Sequence, residues 1–406
     1  MYNIVMYIIH LAIRIASLFQ EKVATLRKGQ KATFSILDEK IEEGAAYIWF
    51  HAASLKDFEQ GRPLLEEIRK RYPEYKILQT FFSPSGHEVY KDYDGADIVC
   101  YLPVDTPRNA RRFVEKVKPA MAFFIKTEFW KNYIEVLYKQ GIPIYNVSSI
   151  FRENQIFFRP YARSYAKVLS YFTHIFVQNA PSKELLNAHG ITQVTVAGNT
   201  RFDRVLDVCR TVQPRPLIEA FRDKEFTFIS GSSWEADERL YLPHLNEMPE
   251  VKLIIAPRII DEENLSRITA QVKGKVVRYS QATEENVRDA KCLLIDSYGL
   301  LPSLYRYADL AYIGGGFGEG VHNIAEAAVY GIPVLFGPNH ARFKEAVELI
   351  ACGGGFSIHI EEDFDFIFHR LHDSPEALAH AGHQAGTYVA THAGAVQRIM
   401  KIVFPT

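Results

Sequence analysis

From residue 45 onward the chain alternates short apolar runs with longer amphipathic stretches, and that alternation admits few folds. Short apolar runs bounded by turn residues read as strands buried on both faces, as in parallel sheets covered by crossover helices. Seven such runs occupy the first half, at 47–53, 76–82, 98–102, 121–125, 143–147, 174–178 and 194–198, with helical patterns such as 63–71, 109–117 and 182–189 between them. At Val205 to Pro216 polar residues and two prolines interrupt the apolar period. Seven further runs follow at 226–230, 252–256, 276–279, 292–296, 310–314, 333–336 and 355–359. At 406 residues the chain is also too long for one compact core. The expected class is therefore α/β, with a doubly wound Rossmann-like domain over 45–205, a linker over 206–222, and a second such domain over 223–406 whose last helix is able to pack back on the first. Ligands of open α/β sheets gather at the carboxyl ends of the strands, so two such domains are expected to face a central cleft.

The first 44 residues differ in character. MYNIVMYIIHLAIRIASLFQ is apolar, but His10 and Arg14 interrupt it, which argues against a simple spanning helix. On a helix, Asn3, His10, Arg14 and Ser17 form one narrow stripe and apolar residues cover most of the rest. Lys22, Arg27, Lys28 and Lys31 follow, a pattern suited to anionic headgroups. Membrane attachment on the cytoplasmic side is the preferred reading, against a helix packed on the protein's own surface. A secretory signal is disfavoured, because a basic n-region and a small-residue cleavage site are both missing.

Several functions are disfavoured by what the chain lacks. A net charge of -1 gives no footprint for nucleic acid. The four cysteines form no CxxC pair, and the fourteen histidines form no HExxH, so neither a disulfide framework nor a bound metal is expected.

The strongest chemical signal is AYIGGGFGEGVHNIAEAA at Ala311 to Ala328, an apolar strand running into a glycine-rich loop and then a helix. Glycines such as Gly315 and Gly316 let backbone approach a phosphate, and a helix amino terminus adds free N–H groups. His322 and Asn323 are expected to open that helix. Glu326 then lies one turn in, where its carboxylate can accept hydrogen bonds from ribose hydroxyls. The bland alternative is a glycine-rich turn with Glu326 completing a cap. No GxGxxG follows the first strand, which argues against a dinucleotide domain.

Gly314 to Glu326, followed by Gly331 and Pro333 to Pro338, resembles the GGS...GGHNPLEPAALGKPVLFGP signature of 3-deoxy-D-manno-octulosonic acid (Kdo) transferases. YLPVDTP at 101–107, TEFW at 127–130, GNTRFD at 198–203 and APR at 256–258 resemble further family segments in the same order, so the resemblance covers roughly the full length. It implies a GT-B fold and transfer of Kdo from CMP-Kdo to a lipid A precursor at the cytoplasmic face of the inner membrane, inverting and without a metal or other cofactor. The implied partners are the two substrates and membrane lipids, with no nucleic acid and no obligate protein. For CMP the resemblance implies Pro257, Arg258, Asn323 and Glu326, together with Tyr298, Gly299 and Leu300 where Met-Gly-Glu is usual.

The catalytic segment departs from the family pattern. Ala53, Ser54, Leu55, Lys56 and Asp57 stand where Ala-Ser-Val-Gly-Glu is usual, with Pro63 confirming the register. Asp57 is the implied general base, with its reach shortened by one methylene; Glu59 is a nearby substitute. Lys56 in place of glycine implies a different loop conformation, since lysine tolerates positive φ poorly. Lys126 replaces the first glutamate of ETELW, and Glu128 keeps the second. Arg201 replaces the lysine of GNLKFD and keeps its charge, suiting it to the leaving phosphate or the donor carboxylate. Ser83 to Gly86 are expected near the acceptor. The rival readings are a GT-B transferase for another nucleotide sugar, and a catalytically impaired membrane-bound protein that binds nucleotide or lipid.

Overall fold

The computed structural model describes residues 2–159 and 162–405, and the chain divides into two compact units. The first runs to Asp203 and takes in the segment from Gly394 onward; the second runs from Arg204 to Ala393.

The first unit holds a seven-stranded parallel sheet made of β1 (Tyr47–Ala52), β2 (Lys76–Phe81), β3 (Ile98–Tyr101), β4 (Met121–Ile125), β5 (Ile144–Ser149), β6 (His174–Val177) and β7 (Val194–Val196). Their order is β3-β2-β1-β4-β5-β6-β7. Every residue of β1 is buried, because helices cover both faces. Alternate side chains divide between two cores: Tyr47 and Trp49 pack with Phe113, Phe124 and Tyr133, while Ile48 and Phe50 pack with Phe58, Leu64 and Phe123. The last helix, Ala395–Val403, adds Val396, Ile399, Met400 and Val403 to the second of these cores. Its start is fixed by Asp203 of the GNTRFD segment, whose carboxylate accepts the N–H groups of Gly394 at 3.0 Å and Ala395 at 3.1 Å.

The segment before the sheet forms two helices, Tyr2–Ala16 and Glu21–Lys40, bent by 120° relative to each other. The second lies on the first unit. It buries Leu26, Thr33 and Leu37, and the Thr33 hydroxyl donates to the Tyr101 carbonyl at 2.8 Å. The first buries only Met6 and exposes Ile4, Val5, Tyr7, Ile8, Leu11 and Ile15, and the turn after it exposes Leu18 and Phe19. Among the described residues no single helix is long and apolar enough to cross a membrane.

The second unit repeats the plan with β8 (Thr227–Ser233), β9 (Lys252–Pro257), β10 (Val276–Arg278), β11 (Cys292–Leu294), β12 (Leu310–Ile313), β13 (Val334–Phe336) and β14 (Gly355–Ser357), in the order β10-β11-β9-β8-β12-β13-β14. All fourteen expected strands are present, with ends displaced by at most a few residues.

Helices occupy most of the expected linker over 206–222. Helix Arg201–Thr211 runs through its first part and helix Pro216–Arg222 through its last, leaving 212–215 between them. The polar residues that suggested a break lie on the outer faces of helices whose inner faces bury Val205, Ile218 and Phe221. Pro216 stands in the first turn, where a missing N–H costs nothing.

Candidate active site

In each sheet the chain winds to one side of a central strand and then returns to its other side. β1 has β2 on one side and β4 on the other, and β8 has β9 and β12. Loops leaving the carboxyl ends of such neighbours diverge and open a crevice, the usual ligand position in open α/β sheets. Asp57, Lys126 and Glu128 follow the strands at the first point; at the second, Pro257 ends a strand and Arg258, Gly315 and Gly316 follow.

Asp57 lies in the first turn of helix Leu55–Arg71, which leaves β1. Ser54 caps that helix: its hydroxyl accepts the Asp57 N–H at 3.4 Å and donates to Asp57 Oδ2 at 2.6 Å. Lys126, just past β4, places Nζ 2.9 Å from Asp57 Oδ1. Glu59 is instead engaged by the Tyr90 hydroxyl and by Arg62, at 3.6 Å, which leaves Asp57 as the carboxylate on the lysine.

The backbone at this edge differs from the expectation. Lys56 is helical and exposed, and the left-handed residue is Lys126, with φ 59°. Holding a lysine there costs on the order of 1–3 kcal/mol. Buried groups impose it: the Lys126 carbonyl accepts from Asn146 Nδ2 and Ser149 Oγ, both at 2.6 Å, and its N–H donates to the Val147 carbonyl at 2.7 Å.

Glu128 and Trp130 follow on the same loop. Trp130 Nε1 donates to His51 Nε2 at 2.8 Å, so that ring nitrogen is the acceptor and Nδ1–H points to Thr80 Oγ1 at 2.9 Å. With that lone pair used, Glu128 Oε2, 3.8 Å from His51 Nε2, is not hydrogen-bonded to it. Arg201 opens the helix after β7, its N–H bonded to Asn199 Oδ1 at 3.1 Å. The preceding Thr200 donates to the Gln60 carbonyl, which sets this segment against helix Leu55–Arg71 one turn beyond Asp57. At 83–86, Ser83 caps helix Pro84–Tyr90, and its N–H donates to the Ala53 carbonyl at 2.7 Å.

In the second unit Asn323 Nδ2 donates to Glu326 Oε1 at 2.8 Å. The helix carrying Glu326 is a single turn, Ala325–Ala328, so His322 and Asn323 precede it rather than open it. The reason is local: the His322 N–H turns back to the Gly314 carbonyl at 3.3 Å. Burial and the nearby Glu326 carboxylate hold the Tyr305 phenol well above its ordinary pKa. Its oxygen sits 2.0 Å from where a Cβ on Gly231 of β8 would be, so that position must be glycine for the tyrosine to fit.

The glycine loop, expected to cradle phosphate, has part of its backbone engaged within the protein. The Gly315 N–H is already used, donating to Asp237 Oδ2 at 3.0 Å. Asp237 also accepts from Trp234 N–H at 2.9 Å and the Tyr312 hydroxyl at 2.8 Å; burial pushes its carboxyl up while these donors pull it down. A Cβ on Gly316 would lie 2.5 Å from the Gly337 Cα, so Gly316 is needed for contact between two backbones. Sequence reasoning missed Asp237. Its signal was the spacing Trp234 to Asp237, that of a helix-capping acid.

Pro257 closes β9, next to β8, and the Arg258 N–H donates to the Ser233 carbonyl at 2.9 Å while its side chain is exposed. Tyr298, Gly299 (φ 87°) and Leu300 follow β11, one strand further out, and Tyr298 is 73% exposed. One group with metal-ligand spacing occurs among the described residues, His244, Asp365 and His369. His244 lies at the far end of helix Glu235–Leu245 from β8, away from this edge.

Known proteins with similar folds include UDP-GlcNAc 2-epimerase from Neisseria meningitidis bound to UDP-GlcNAc, with TM-score 0.61 and 15% identity over 89% of this chain and 100% of that one. MurG from Acinetobacter baumannii gives 0.56 and 13% over 89% and 100%. These similarities and the two parallel sheets define the fold class as GT-B. Residues 19–204 match the family described as 3-Deoxy-D-manno-octulosonic-acid transferase (kdotransferase). The transferase of that name from Aquifex aeolicus is 27% identical over 80% of this chain and 86% of its own length, and that from Haemophilus influenzae is 25% identical over 88% and 86%. The chain is thus similar to Kdo transferases over most of its length, and these similarities indicate a glycosyltransferase.

Proposed function

We propose that the protein transfers Kdo from CMP-Kdo to a sugar hydroxyl of a lipid A precursor, with inversion and without a metal, while lying on the cytoplasmic face of the inner membrane. The observation that carries the chemistry is the Asp57 carboxylate at the β1/β4 switch point, gripped by Ser54 and Lys126. Asp57 takes the proton of the acceptor hydroxyl as that oxygen attacks the anomeric carbon, and CMP departs with the bonding electron pair. Glu326, oriented by Asn323, accepts from the ribose hydroxyls. Arg258 and Arg201 meet charge on the phosphate and on the donor carboxylate. The exposed apolar face of Tyr2–Ala16, followed by Lys22, Lys28 and Lys31 on the surface, suits an anionic lipid interface.

The test is incubation of purified protein with CMP-Kdo and lipid IVA, read by mass analysis of the lipid. A product heavier by one or more Kdo units is expected; an unmodified lipid contradicts the reading. One observation favours a second reading, a nucleotide binder with impaired catalysis: both Asp57 oxygens already have partners. CMP binding without any lipid product would select it.

A further inference from the structure

Asp105, in the YLPVDTP segment after β3, is fully buried, and the groups on its carboxylate come from two directions. Its Oδ1 accepts the Tyr133 N–H at 3.1 Å and its Oδ2 the Asn132 N–H at 3.1 Å, which fixes the start of helix Lys131–Lys139. The third donor is the Tyr2 hydroxyl, 2.5 Å from Oδ2, arriving from the helix with the exposed apolar face. The Tyr2 oxygen in turn accepts the Lys131 N–H at 3.3 Å. Its ring stacks on Tyr165 at 5.3 Å, and the Tyr165 hydroxyl donates to the Phe129 carbonyl at 3.0 Å. The two stacked tyrosines thus hold the backbone on either side of Trp130, in the loop that carries Lys126 and Glu128. Burial and the Asp105 carboxylate hold the Tyr2 phenol far above its ordinary pKa, so it stays the donor.

We infer that Tyr2 is a positioning residue that ties the lipid-facing helix to the acceptor edge at 126–130, setting the height of Asp57 and Lys126 above a lipid surface. This rests on the proposed transfer to a membrane-embedded acceptor. A helix lying in the interface sits at a fixed depth, and the sugar of an embedded lipid projects to a fixed height. A rigid link between them converts helix depth into base-to-hydroxyl distance, where an error of about 1 Å can cost on the order of a hundredfold in rate. A detergent-dispersed acceptor can tumble into the site and does not need that registry.

The test uses full-length Tyr2→Phe, which keeps the ring and loses the hydroxyl. Turnover of CMP-Kdo is measured on lipid IVA held in phosphatidylethanolamine/phosphatidylglycerol vesicles and on lipid IVA in detergent micelles, with vesicle co-sedimentation and amide exchange at Asn132 and Tyr133 alongside. The expected result is a kcat lower by on the order of tenfold on vesicles and by less than about twofold in micelles, with unchanged vesicle binding and faster exchange. Equal losses on both acceptors would mean an ordinary structural contact and overturn the inference; so would no loss on vesicles. If wild-type protein modifies neither acceptor, the functional reading fails on its own. Exchange at Asn132 and Tyr133 still tests the link in that case, and unchanged protection in Tyr2→Phe would sink it.

Discussion

The carboxyl edges of the two sheets share a topology and are built in opposite ways. At β1/β4 reactive side chains face one another, Asp57 against Ser54 and Lys126, and the backbone is bent to allow it, with Lys126 left-handed under the hold of Asn146 and Ser149. At β8/β12 the backbone itself is the feature, with Gly316 against Gly337 and Gly315 tied to buried Asp237. Strain in the first edge serves side-chain placement. Absence of side chains in the second serves close packing, with Glu326 on a single helical turn and Asn323, just before that turn, bonded to it.

Three substitutions at these edges test the contrast, and a fourth tests the buried acid behind the first edge. Asp57→Ala should lower turnover on the order of 10²–10⁴-fold in a steady-state transfer assay, as expected for loss of a general base. Gly316→Ala should destabilise the second unit by about 1–3 kcal/mol in denaturant unfolding, because a methyl group there meets backbone that cannot give way. Lys126→Gly should reduce turnover by on the order of tenfold, yet leave the melting temperature level or raise it, since it relieves about 1–2 kcal/mol of left-handed strain. A large loss of stability there would mean that the lysine is structural.

The smallest effect concerns Asp105, whose pKa burial pushes up to about 6 against a partial offset from Tyr2 and the Asn132 and Tyr133 N–H groups. Because the folded value lies above the unfolded one, its contribution to stability is complete below about pH 4 and is lost as pH rises through about 6. The other titratable groups that feel its charge are the Tyr133 and Tyr165 phenols. The wild type should therefore lose stability relative to Asp105→Asn between about pH 4 and 6, measured by unfolding at each pH. A constant difference would show that the carboxyl does not titrate in that window.

Much of the architecture was legible because parallel strands buried on both faces must be apolar throughout, as β1 and β9 are. The helices at 201–211 and 216–222 were not, because their polar outer faces and Pro216 imitate a linker until the packing of Val205, Ile218 and Phe221 is seen. The pairing of Asn323 with Glu326 was readable from a spacing of three residues. Asp237 on the Gly315 amide and Asp105 on Tyr2 were not, since each joins segments about eighty or a hundred residues apart and no local pattern records such contacts. Nor could a left-handed Lys126 be foreseen, because lysine disfavours that conformation and only the surrounding carbonyl acceptors and donors impose it.

The division of labour between the two edges is tested most directly by calorimetric titration of CMP into wild type, Asp57→Ala and Glu326→Ala. Wild type and Asp57→Ala should bind alike, and Glu326→Ala should bind on the order of tenfold to a hundredfold more weakly, as for loss of a charge-assisted hydrogen bond. Undiminished binding by Glu326→Ala, or a loss confined to Asp57→Ala, would contradict the account.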